Sequence, residues 1–284
     1  MAEAFERARV DDHDGEDLIL DRAPELASQF ERIAADYDSR PGYPAWVFDV
    51  LADQCGLGPG TKVLEIAPGT GQATLAMLER GAHVTAVEPG AALARRLAER
   101  AAGQEITIFV SPFEEADLPE ASFDLVASAT AFHWIDPSVG VARCARTLRD
   151  RGWLALWWTI WGDPDRRDPF RDALEPLLRG KAPHLLDEEA GPRAYIRDLA
   201  ARAAKVEHSP EFGPVTTEVL RWEGHHDPAT LRSIFATFAA WIALPDPLRR
   251  DLLDDVERLA REDFAGTVDR PYQTRLYLAQ RLAR

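Results

Sequence analysis

The sequence predicts an α/β fold, with a mostly parallel sheet wrapped by helices. Three observations carry the prediction. Short apolar runs alternate with helix-like segments from Lys62 to about Trp161. A glycine turn, "APGTG", joins the first run to the first helix. Beyond Trp161 the chain becomes helical, charged and punctuated by proline, as expected of an insertion after the fifth strand that packs over one end of the sheet.

In chain order, "YPAWVFDVLADQCGLGPG" reads as a helix entered at Pro44 and ended near Gly56 and Gly58. The strands are "KVLEIA", "HVTAVE", "ITIFVS", "FDLVASAT" and "GWLALWW". Between them "QATLAMLERG" and "AALARRLAERAAG" carry leucine and alanine at helical spacing, with Gly81 and Gly103 as stops. A third helix is expected from Pro137 to Leu148, with Asp136 as its cap. After the insertion, "VTTEVLRW" and "PYQTRLYLAQRL" alternate apolar and polar residues and suit two late, partly antiparallel strands. Two helices broken at Pro245 and Pro247 are expected between them. The division that follows is an N-terminal lid segment at residues 1–43, a core at 44–161, and an insertion with the last two strands at 162–284.

Composition narrows the partners. With 284 residues, 46% of them hydrophobic, the chain can bury a sizeable core. Its longest apolar run, "WLALWWTIW", is far short of the roughly 20 residues of a membrane span, so no membrane partner is expected. The acidic N-terminal stretch does not read as an export signal, and a cytoplasmic location is expected. A formal net charge of −15 speaks against nucleic acid as a partner. Cys55 and Cys144 stand in no metal-binding spacing and read as reduced thiols.

The glycine turn and its acidic neighbours suggest a ligand. Glycines are needed where backbone must approach a ligand without Cβ atoms in the way, so a side chain at Gly69 or Gly71 is expected to fill ligand space. A dinucleotide fingerprint requires a third glycine where this chain has Thr74, which weakens a nicotinamide reading. Glu88 closes the second strand, where a carboxylate can accept both hydroxyls of a ribose. The ligand should contain a ribose and need not contain a pyrophosphate.

"VLEIAPGTGQAT", "VTAVEP", "FEEADLPEASFDLVASATAFHWID" and the preceding "YDSRPGYP" together resemble the class I S-adenosylmethionine-dependent methyltransferases, in the small-molecule branch with a type 11 or 25 domain. The resemblance runs from Phe30 to about Trp161. It implies a Rossmann-like sheet of seven strands, one of the last pair antiparallel, and S-adenosylmethionine across the carboxyl ends of the first, second and fourth strands. It further implies that Glu65 through Gly71, with Ala67 and Gly69 among them, surround the methionine portion, that Gln72 also binds the cofactor, and that Glu88 takes the ribose. Pro89 and the turn Pro112, Phe113 and Glu114 would flank adenine, with Thr130 and Ala131 beside the sulfonium. Tyr37, Arg40 and Tyr43 lie on the segment that in this family folds over the cofactor. Ala67 departs from the family's commoner glycine, and Pro112 from an aspartate that binds the adenine amino group, leaving adenine to backbone or Glu114 contacts.

Methyl transfer from a sulfonium is an in-line displacement, in which alignment and water exclusion do most of the work. His133, just past the fourth strand, is the candidate general base, with packing beside Trp134 as its structural alternative. "SATAF" lacks the Asn or Asp followed by two prolines and an aromatic that amino-group nucleic-acid methylases carry, and no carboxylate cluster suggests a magnesium site. The expected activity is in-line methyl transfer to a small-molecule acceptor, with an apolar compound or a secondary metabolite as the narrower expectation. An NAD(P)-dependent oxidoreductase and a non-catalytic S-adenosylmethionine-binding protein are the alternatives.

Overall fold

The computed structural model describes residues 40–186 and 192–283, so Tyr37 and nearly all of the expected lid segment lie outside the described residues. Helix α1 (Ala45–Cys55) starts after Pro44 and stops at Gly56, whose φ of 73° makes the left-handed cap that glycine adopts without strain. Then come β1 (Lys62–Ile66), α2 (Gln72–Glu79), β2 (His83–Val87), α3 (Ala91–Arg100), β3 (Ile106–Phe109), β4 (Phe123–Ala129), α4 (Pro137–Thr147) and β5 (Leu148–Ile160). The later chain forms α5 (Pro169–Lys181), α6 (Pro192–Glu207), β6 (Thr216–His226), α7 (Pro228–Ala236), α8 (Ala239–Ile242), α9 (Asp246–Glu262) and β7 (Val268–Gln280).

The strands make one seven-stranded sheet in the order β3-β2-β1-β4-β5-β7-β6. The first five are parallel, and β7 runs antiparallel to both β5 and β6. Successive buried residues of β1 and β4 face opposite layers. Leu64, Ile66, Val126 and Leu154 pack under Cys144 and Leu148 on one side, while Val63, Val84, Leu125 and Ala155 pack under Val47, Leu51, Met77 and Leu97 on the other. A third core of Phe170, Leu174, Leu231, Leu252 and Val256 is built by α5, α7 and α9. The insertion therefore packs as structure in its own right. Chain order reverses between β1 and β4, the place where open α/β sheets leave a crevice beyond their carboxyl ends.

Two boundaries differ from expectation. β5 begins at Leu148, not Gly152, because a bulge lets Phe123 pair with Leu148 while Leu125 pairs with Trp153. The helical stretch before β7 forms three pieces: α7 is closed by Thr237, whose hydroxyl donates to the Ile234 carbonyl at 2.6 Å, and α8 is a short separate turn. Pro247 falls in the first turn of α9, where proline costs no hydrogen bond, so it starts that helix. Among the described residues no helix is long and apolar enough to cross a membrane, and no group of His, Cys, Asp and Glu could hold a metal ion.

Candidate active site

A cavity of about 400 Å³ opens along the carboxyl ends of the parallel strands. One end is made by the loops after β1, β2 and β3, and the other by residues following β4 and β5 with one side chain from β6. Of the residues singled out from sequence, Ala67, Gly69, Gln72, Glu88, Pro89, Pro112, Phe113, Glu114, Thr130 and Ala131 line it.

Glu88 ties the first end together. Its carboxylate, only 3% exposed, accepts the Gly69 N–H at 2.9 Å through Oε2 and the Gly90 N–H at 2.9 Å through Oε1. One side chain thereby fixes the loops after both β1 and β2. From below, Arg100 donates to the Thr70 carbonyl at 2.8 Å. Glu65 is wholly buried beneath the turn, where Thr74 donates to its Oε2 at 2.6 Å and its Oε1 has no hydrogen-bond partner. Burial pushes the Glu65 carboxyl up to about 8; the Thr74 hydroxyl lowers it and the Glu88 charge raises it. Thr74 thus has a polar duty that glycine in its place could not perform.

The two glycines have different duties. Gly69, at φ +61°, borders the cavity, and a Cβ built on it meets no protein atom. Gly71, at φ +93°, faces inward, where a Cβ would lie 2.5 Å from Leu97 Cδ1. The expectation that a side chain at Gly71 fills ligand space is therefore corrected: helix α3 occupies that volume. Ala67 and Thr130, each just past the end of the neighbouring strands β1 and β4, take φ of 50° and 55°, a left-handed conformation costing a non-glycine residue roughly 1–2 kcal/mol. Both are held by backbone bonds, Ala67 N–H to Val87 O at 2.8 Å and Thr130 N–H to Trp157 O at 2.7 Å. The Tyr43 hydroxyl donates to Thr130 Oγ1 at 3.0 Å, bringing the segment before α1 over the cavity.

His133 does not line the cavity. It lies on a single 3₁₀ turn, Phe132–Trp134, and its Nδ1 accepts from Trp158 Nε1 at 3.1 Å. The neutral ring then carries its proton on Nε2. Burial, with the Arg202 and Arg40 charges adding to it, pushes its pKa down to about 3. A ring with one nitrogen already accepting and the other already protonated is badly placed to take a proton from an acceptor, so the arrangement argues against the general-base role. Glu65 likewise sits under the turn and does not line the cavity.

At the other end stand Trp134, Ile135, Thr159, Trp161 and Trp222, with Arg40. Trp161 was legible only as part of an aromatic run. Trp222 carried no local signal, because its place depends on β6 pairing with β7 far along the chain.

A stretch 30% identical over 194 residues links the chain to an uncharacterised methyltransferase of Geobacillus thermodenitrificans, taking in 66% of this chain and 85% of the relative. The chain belongs to the class I S-adenosylmethionine-dependent methyltransferases. The methyltransferase domain family matches residues 64–156, from β1 into β5. An uncharacterised methyltransferase of Mycobacterium tuberculosis is 29% identical over 221 residues, which is 78% of this chain and 80% of the relative. Among solved structures, one described as a type II methyltransferase from Anaeromyxobacter dehalogenans superposes with a TM-score of 0.55 at 25% identity, covering 85% of this chain and 96% of that one. As a member of that family, this methyltransferase uses S-adenosylmethionine as its cofactor.

Proposed function

We propose that this methyltransferase acts on a small molecule whose apolar body is bound under Trp134, Trp161 and Trp222, with S-adenosylmethionine lying over the loops after β1, β2 and β3. The observation that carries the reading is the continuity of one cavity from the Glu88 carboxylate to those three tryptophans. Adjacent strands lie about 4.8 Å apart, so the path from β2 to β5 is roughly 14 Å. That is room for a nucleoside and its reacting centre side by side with an acceptor.

The residues fit the cofactor on three counts. Gly69 leaves open space where a side chain would project into the cavity. Glu88 presents a fixed carboxylate to a ribose diol, with its geometry set by Gly69 and Gly90. Pro89, Leu93, Pro112 and Phe113 offer apolar surfaces for adenine, leaving its edge to backbone groups and Glu114.

When bound, S-adenosylmethionine supplies an electrophilic methyl group on a sulfonium. The chain's contribution is alignment. Thr130, fixed by the Trp157 carbonyl and the Tyr43 hydroxyl, and Ala131 after it stand between the two ends of the cavity, and the tryptophans exclude water from the approach line. His133 props the turn that presents Trp134. The test is transfer of a labelled methyl group from S-adenosylmethionine into a metabolite extract supplemented with protein and RNA. Label in a small, organic-extractable product is expected. Label confined to protein or RNA would overturn the small-molecule reading.

A further inference from the structure

The acceptor end of the cavity has a polar character that its tryptophans conceal. Trp222 Nε1 can only donate, and it donates to Thr274 Oγ1 at 3.0 Å. Thr274 is fully buried, so its own proton needs an acceptor, and the Thr159 hydroxyl lies 3.2 Å away. Either hydroxyl of this pair could donate, and the order that satisfies the buried Thr274 proton runs from Trp222 to Thr274 to Thr159. Thr159 Oγ1 is filled from behind, and its proton is left to point into the cavity that it lines.

Arg40 faces the same end. Its Nε donates to Thr237 Oγ1 at 2.7 Å and an Nη donates to the Thr237 carbonyl at 2.9 Å, which sets the guanidinium 5.8 Å from the centre of the Trp161 ring. Thr159 lies near the end of β5 and Trp161 just past it, and both line this cavity. The surroundings thus combine a cation, a hydroxyl donor and flat aromatic faces.

We propose that the acceptor is a flat aromatic molecule carrying an anionic oxygen group, a carboxylate or phenolate, held between the Arg40 guanidinium and the Thr159 hydroxyl. This rests on the small-molecule methyltransferase reading. Donors on two sides stabilise an oxygen anion and leave a neutral amide's N–H groups facing other donors. The tryptophans supply stacking area and a water-poor setting in which the charge contact strengthens.

The test uses the protein loaded with S-adenosylhomocysteine and compares 2-naphthoate with the similarly shaped 2-naphthamide by calorimetry. Naphthoate is expected to bind tighter by roughly tenfold or more, the scale of one charge-assisted hydrogen bond, with its affinity falling as salt rises. Arg40→Gln should remove most of that preference, and Thr159→Val part of it. Equal or tighter binding of the amide, binding of neither probe, or a preference untouched by both substitutions overturns the proposal. The wild-type comparison decides the matter even if a variant folds poorly. Failure of S-adenosylhomocysteine to bind at all would instead count against the cofactor reading.

Discussion

Glu88 is the residue whose replacement says most about this site, because it clamps two loops and is the proposed partner of the cofactor's ribose. In Glu88→Gln the side chain keeps its shape and one carbonyl oxygen, so one of the Gly69 and Gly90 N–H groups retains an acceptor at about the present 2.9 Å. The other meets an NH₂ group. Losing a hydrogen bond to a charged acceptor and leaving a buried N–H unsatisfied costs about 2–3 kcal/mol. For a chain of this size that lowers the ligand-free melting temperature by roughly 4–8 °C. Cofactor binding should suffer separately: a ribose diol facing an amide loses at least one charge-assisted bond, about 1.5–3 kcal/mol, or roughly 10- to 150-fold in Kd. Scanning fluorimetry without ligand and calorimetry with S-adenosylmethionine measure the two effects independently. An unchanged melting temperature would refute the clamp, an unchanged Kd would refute ribose recognition, and both together would refute the whole account of this end of the cavity.

Further outcomes follow from neighbouring residues. Gly69→Ala should weaken cofactor binding more than it lowers stability, since its methyl group enters open cavity, whereas Gly71→Ala should lower stability first, since its methyl group meets Leu97; a reversed order in paired melting and binding measurements would undo the distinction. Glu65 is held protonated up to about 8, above its unfolded value, so the stability it contributes is present at low pH and is lost as pH rises through 8. Glu65→Gln should flatten the melting temperature across that window, and identical pH profiles for the two proteins would contradict this. His133 is depressed to about 3, so it favours the fold above about pH 6.5 and withdraws that support progressively as pH falls from there toward 3. His133→Gln should be the less acid-sensitive protein in unfolding assays, and wild-type turnover should show no inflection traceable to this ring near pH 6.5.

Much of the sheet was legible because parallel strands covered on both faces must be apolar throughout, as β1 is from Val63 onward except for Glu65. The cavity's first end was legible for a related reason: a glycine turn at a strand end and an acid at the next strand end can be placed before any side chain is built. His133 shows where that reasoning stops. Its position after β4 was foreseen, but three residues per turn spread adjacent side chains about 120° apart, so the turn that sends Trp134 and Ile135 into the cavity turns His133 toward Trp158. Gly71 teaches the same lesson through tertiary packing, since nothing local announces that Leu97 from α3 fills the space beside it. Thr159 needed more still: its donor role emerges only when β5, β7 and β6 lie side by side.

The position of β7 between β5 and β6 has a consequence for how the protein is made. β6 precedes β7 in the chain yet joins the sheet only through it. As the chain emerges from the ribosome, β1 to β5 can assemble in order, but β6 must wait for the whole of α7 to α9 and then for β7 itself. Until that strand arrives, Trp222 has neither Thr274 to bond nor Tyr272, 5.1 Å away, to pack against. The strands that border the Glu88 end of the cavity are thus synthesised well before the strand that completes the Trp222 end. On the proposed arrangement, a growing chain has the elements of its donor end in place before the strand carrying Trp222 can join the sheet.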